Sequence, residues 1–143
     1  VRKPETADSS RLLSTVFLAQ IVVATIVGVV LSVAMDAVME PALANLIFVV
    51  FLSISVSEVI MARHVVRQQL ARDEEGARLQ ASVLASAFSG AIAVYGVVIG
   101  ILSGHWYFVV PFGVIGFLAW QYLHRLVEGS EDNSDSFRFR SDP

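Results

Sequence analysis

The 143-residue chain is 55% hydrophobic and only 16% charged, with a mean hydropathy of +0.67, whereas charged residues supply about a quarter of a soluble domain. A formal net charge of -3 speaks against a nucleic-acid partner, which asks for a concentrated basic surface. The chain has no cysteine, which excludes disulfides, thiolate nucleophiles and cysteine-ligated metals.

Residues 1–11 form a polar N-terminal tail with Arg2, Lys3 and Arg11. The first apolar run, residues 12–35, is uncharged and as a helix would reach about 36 Å, enough for a hydrocarbon layer of roughly 30 Å. It is longer than the core of a signal peptide, so it is read as a retained span. Asp36, Glu40 and Pro41 make a short polar turn. The second run, residues 42–62, contains one formal charge, Glu58, near its end.

A polar block, residues 63–78, is read as a loop, with Arg63, Arg67, Arg72 and Arg78 opposed by Asp73, Glu74 and Glu75. The third run covers residues 79–102, and only Ser103, Gly104 and His105 separate it from the fourth, residues 106–124. Pro111 lies inside the fourth run, where it is expected to kink the helix or relax its first turns. Residues 125–143 are rich in Ser, Asp and Arg and read as a disordered tail.

The expected architecture is therefore all-α, a polytopic membrane protein with four transmembrane helices arranged as two hairpins across residues 12–124. The β-branched content of the first two runs would favour strands in water, but the runs are far longer than a usual strand, and backbone amides in lipid must be paired within helices or closed barrels.

All ten Lys and Arg residues lie in the N-terminal tail, the central block or the C-terminal tail. Neither short turn carries one. The positive-inside rule then predicts that both termini and the 63–78 block lie in the cytoplasm, and an even number of spans requires the termini to agree. Trp106, Tyr107 and Phe108 fall at the expected outer interface, and Trp120 with Tyr122 near the inner one, as an aromatic belt requires.

Glu58 is the only formal charge inside a span, and a carboxylate in lipid is a functional candidate by default. Its distance from the end of its run, about 6 Å, suggests neutralisation by Arg63, Arg67 or the N-terminal segment of the third span, as an interfacial structural pair or an ion site. Ser53, Ser55 and Ser57 can bond their own helix's carbonyls. Gln20 cannot do so easily, and Ser53 or Ser57 are its expected partners. His64, His105 and His124 are too dispersed in this topology to share a metal, and no cofactor motif appears.

The third span is the most patterned. Ala81, Ala85, Ser89 and Ala93 recur every four residues, as do Ser82, Ser86 and Gly90, and Gly96, Gly100 and Gly104 form a double G-x-x-x-G. Small residues at this interval let helix backbones approach closely. Ala24, Gly28 and Ser32 repeat the spacing in the first span, which makes it the expected partner.

Within that span, residues 85–102, ASAFSGAIAVYGVVIGIL, resemble the second helix of the proton-carrying ring subunits of rotary ATP synthases. Matching that family's aromatic-glycine pair to Tyr95 and Gly96 brings its ion-binding carboxylate onto Gly90. No carboxylate stands there, so the resemblance implies a helix shape and not the family's activity. Residues 62–125 also resemble a group of small uncharacterised bacterial four-span membrane proteins, which implies the same fold. The expected function is a non-enzymatic accessory subunit or scaffold, embedded in lipid as a homo-oligomer or in a larger membrane complex; the alternative is a proton or small-ion conductor or transporter using Glu58.

Overall fold

The computed structural model describes the backbone of residues 5–72 and 76–138 and the side chains of residues 12–72 and 76–129. Its helices are α1 (Glu5–Ala34), α2 (Pro41–Leu70), α3 (Ala77–Ser103) and α4 (Val109–Arg138), with a 3-10 turn over Trp106–Phe108. Each α-helix contains a window long and apolar enough to cross a membrane. The protein is thus an all-α, four-span bundle, as its run lengths require.

Three boundaries differ from the sequence expectation. The 63–78 loop shrinks to a turn, because α2 continues to Leu70. Arg, Gln and Leu are good helix formers, and Ala62 and Val66, one turn apart, are sealed into a core with Ala81, Ala85 and Leu123. Packing therefore holds the polar segment helical; His64 and Gln68 add a side-chain bond of 2.9 Å across the same turn. Asp73, Glu74 and Glu75 lie outside the described residues.

At the C-terminus, α4 runs through Arg138 instead of ending at His124. Leu126 and Val127 pack on the same core, so apolar contacts carry the helix beyond the hydrophobic run. The expected disorder of residues 125–138 is corrected accordingly, and residues 139–143 lie outside the described residues. At the other end, α1 is already helical from Glu5. Pro111 sits in the first turn of α4, where its missing N–H has no intrahelical acceptor to lose.

The packing order also departs from two simple hairpins. α3 is central: it packs against α1, α2 and α4, while α1 and α2 lean on α4 and do not pack along each other. The connection between α1 and α2 instead crosses the end of α3, where the N–H groups of Val38 and Met39 donate to the Leu102 carbonyl at 3.0 and 2.9 Å. Gly104 makes this crossing possible. Its φ is +66°, and a Cβ there would lie 3.1 Å from the Ala37 nitrogen, so both the left-handed turn and the close approach require glycine.

Small residues form the contact surfaces, as four-residue spacing predicts. Ala81, Ala85, Ser89 and Ala93 are all buried, as are Ser82 and Ser86. A Cβ on Gly28 would meet Val97 at 2.8 Å and Val109 at 3.1 Å, so α1 does pack where α3 and α4 join. Gly96 faces Phe112 and Val109, and Gly100 faces Val109 and Ser32. Gly90 is the exception: no atom lies within 4 Å of an added Cβ. It is spaced for the motif but points away from α4, so its assignment to packing within the chain is corrected.

Candidate functional site

The polar feature of the membrane interior is built on α2 and α3. Glu58 is half-buried on α2, and the Tyr95 hydroxyl of α3 donates to its Oε1 at 2.5 Å. The Phe51 ring, two turns before Glu58 on α2, lies against the Tyr95 ring with centroids 5.1 Å apart, which fixes the hydroxyl's aim.

The expected partner, Arg63, is not there: no ion pair joins it to Glu58 among the described residues, and Arg63 is exposed. Five residues along a helix amount to about 140° of rotation, so the two side chains leave α2 in different directions. α2 does not end a turn after Glu58, as its apolar run implied. α2 continues to Leu70, about 18 Å beyond Glu58 along the axis.

The second carboxylate oxygen, Oε2, is buried and has no hydrogen-bond partner. Burying a charged or polar acceptor without a donor costs on the order of 1–3 kcal/mol. Glu58 lines an open groove on the outward side of α2 with Ser53, Ile54, Ser57 and Met61. The two serine hydroxyls donate to their own helix, Ser53 to the Val49 carbonyl at 2.9 Å and Ser57 to the Ser53 carbonyl at 3.0 Å. Ser55, buried on the opposite side, donates in the same way to Phe51. Chemically the groove offers an acceptor that is half satisfied, set in an apolar wall.

Gln20 does not reach Ser53 or Ser57. It is exposed on α1, with α3 standing between it and α2, and it makes no hydrogen bond among the described residues. The histidines are dispersed: His105 contacts the Ser103 carbonyl in the turn between α3 and α4, His64 bonds Gln68, and His124 joins α1 to α4. In that last contact His124 Nδ1 lies 3.4 Å from the Ser14 hydroxyl and Nε2 lies 3.2 Å from Glu128. No group of three His, Asp or Glu residues able to hold a metal occurs among the described residues.

Three contacts are not evident in the sequence. Tyr95 stands out there only by its likeness to another helix; its partnership with Glu58 follows from polar groups in lipid seeking each other, once the α2–α3 register is known. Gly113 and Gly116 of α4 are masked by the large side chains around them. A Cβ on Gly113 would meet Thr25 at 2.6 Å, and one on Gly116 would meet the Ser89 carbonyl at 2.9 Å, so their spacing is the available signal.

Comparison with protein-family models, with characterised proteins and with solved structures finds no match. The geometry establishes a multi-pass helical membrane protein.

Proposed function

We propose that the protein is a non-enzymatic membrane subunit or scaffold that works by docking transmembrane helices. The observation that carries this reading is the unpartnered Oε2 of Glu58 in an outward-facing groove. A polar acceptor within a span is costly to leave unpaired and is relieved by a donor on a neighbouring helix. The broad apolar exposure of α1 and α2, from Val23 and Ile26 to Leu46 and Ile60, supports extensive lateral contact with lipid or other spans.

Extraction in mild detergent followed by affinity purification is expected to recover the chain in a stable assembly, with itself or with a larger membrane protein. Recovery as a monomer without a reproducible partner would defeat the reading.

The same proposal includes the bacterial inner membrane, with both termini in the cytoplasm. Arg63, Arg67, Arg72 and Arg78 gather at the end of the bundle where α2 ends and α3 begins, and Arg125 follows the last apolar run of α4, which supports that orientation. Val38 is 80% exposed in the opposite turn. In this cysteine-free chain, Val38→Cys is expected to react with an impermeant maleimide in spheroplasts, and Arg72→Cys only after permeabilisation. The reverse pattern would invert the topology.

A further inference from the structure

Gln20, which makes no hydrogen bond among the described residues, and Glu58, with one oxygen unpartnered, share one side of the bundle. On α1, Gly28 faces α3 and Thr25 faces Gly113 of α4; at about 100° per residue, Gln20 projects from the side of α1 away from α4. On α2, Phe48 packs on Phe108 and Phe112, which marks the α4 side; at about 100° per residue Glu58 lies about 80° round the helix from it, and Ile54 and Met61 about 120° and 140° in the same sense. On α3 the exposed stripe is Val83, Ala87, Val94 and Val98, opposite Gly96, whose neighbours belong to α4. The open face therefore runs α1, α3, α2, with α4 behind it.

Gln20 and Glu58 also share a depth. Gly28 lies against Val97 and Ser32 against Gly100, so α1 and α3 run parallel, and Gln20 is level with about Ser89. α2 runs antiparallel to α3, with Ala62 and Val66 in one core with Ala85 and Ala81 and Phe51 against Tyr95. Glu58 is then level with about the same residue. Two helix spacings, roughly 16–20 Å, keep Gln20 and Glu58 of one chain from meeting.

A twofold axis along the membrane normal, in front of α3, removes that separation. It sets α1 of one copy opposite α2 of the other and preserves depth, so each Gln20 amide comes opposite the other copy's Glu58. We infer that this face binds a second copy of the chain, with Gln20 donating in both directions to the Glu58 carboxylate, whose buried Oε2 reaches the groove once the carboxylate turns and Met61 gives way. This deepens the helix-docking reading and rests on it. The amide supplies two N–H donors and the carboxylate retains acceptor capacity. Met61, which flanks the groove, has the torsional freedom to yield as the helices close. Gly90, next to the axis and with open space where a side chain would be, lets the two α3 backbones approach.

The test uses the full chain in native membranes and single cysteines. Ala87→Cys and Val94→Cys are expected to form symmetric cross-links, whereas Leu118→Cys, exposed on α4 at a similar depth, is not. Gln20→Leu, a change on an exposed position, should weaken dimerisation in lipid roughly tenfold or more, as loss of two interhelical bonds predicts. The exchange Gln20→Glu with Glu58→Gln should restore it, because the pair is re-formed in reverse and the amide oxygen introduced at position 58 still accepts from Tyr95. Gly90→Leu should block cross-linking at positions 87 and 94. Absent cross-links at both positions, equal cross-linking at 118, or an exchange that fails to rescue would overturn the dimer. If a larger membrane protein co-purifies while 87 and 94 stay unlinked, the docking reading survives and the twofold does not; a lone monomer defeats both.

Discussion

Gly96→Ala is expected to destabilise the bundle by about 1–3 kcal/mol, the usual cost of overpacking a filled interior, while Gly90→Ala leaves it as stable as the parent or slightly more so. The two glycines lie six residues apart in the same helix, so intrinsic propensity, which favours alanine over glycine by up to ~1 kcal/mol, acts alike on both. Their surroundings differ. A Cβ on Gly96 would stand 2.6 Å from the Cβ of Phe112 and 3.0 Å from the Val109 carbonyl oxygen. Neither is the far end of a flexible side chain, so the first turns of α4 must withdraw, taking with them the Phe48–Phe112 ring contact at 5.5 Å. Around Gly90 there is nothing to displace. Reversible unfolding in mixed micelles, at a concentration where the chain is monomeric, measures both. Equal stability of the two variants would mean that α3 and α4 do not meet along the Gly96 face.

This contrast also marks how far the sequence can be read. The spans are legible because an uncharged run long enough to cross a bilayer has one economical use for its backbone, a helix. The partnership of Gly28 with α3 is legible from its spacing with Ala24 and Ser32. Gly90 obeys the same spacing but faces outward, because a period of four tells which residues share a helix face and not which neighbour that face meets. Helix ends are harder, since the 63–70 segment is polar by composition and is held helical by Ala62 and Val66 in a distant core. The same limit separates Gln20 from Ser53: consecutive spans joined by a short turn are expected to pair, and the insertion of α3 between them is a property of the whole bundle. Glu58 stands out in the sequence as a polar group in a span, but its donor is Tyr95, far along the chain, instead of the nearby Arg63.

Tyr95→Phe is the substitution that tests the interior of the site. The ring is retained, with its packing against Phe51 at 5.1 Å, and only the hydroxyl that donates to Glu58 is lost. Oε2 already lacks a partner, so the variant leaves both carboxylate oxygens without a donor from the chain. Hydrogen bonds to charged groups contribute about 1.5–3 kcal/mol in soluble proteins, and interhelical ones in membranes average nearer ~0.6 kcal/mol. The missing second donor shifts the balance toward the higher range, and a loss of about 2 kcal/mol is expected in the same unfolding measurement. Glu58→Gln should keep most of the stability, because its amide oxygen still accepts from Tyr95. In a Glu58→Leu background the hydroxyl has no acceptor at that position, so Tyr95→Phe should then be neutral or stabilising. A double-mutant cycle built from Tyr95→Phe and Glu58→Leu is expected to give a coupling of at least ~1 kcal/mol, the scale of contacting polar pairs. A coupling near zero would mean that Tyr95 and Glu58 occupy adjoining helices without bonding, and the carboxylate would have to find its donor elsewhere.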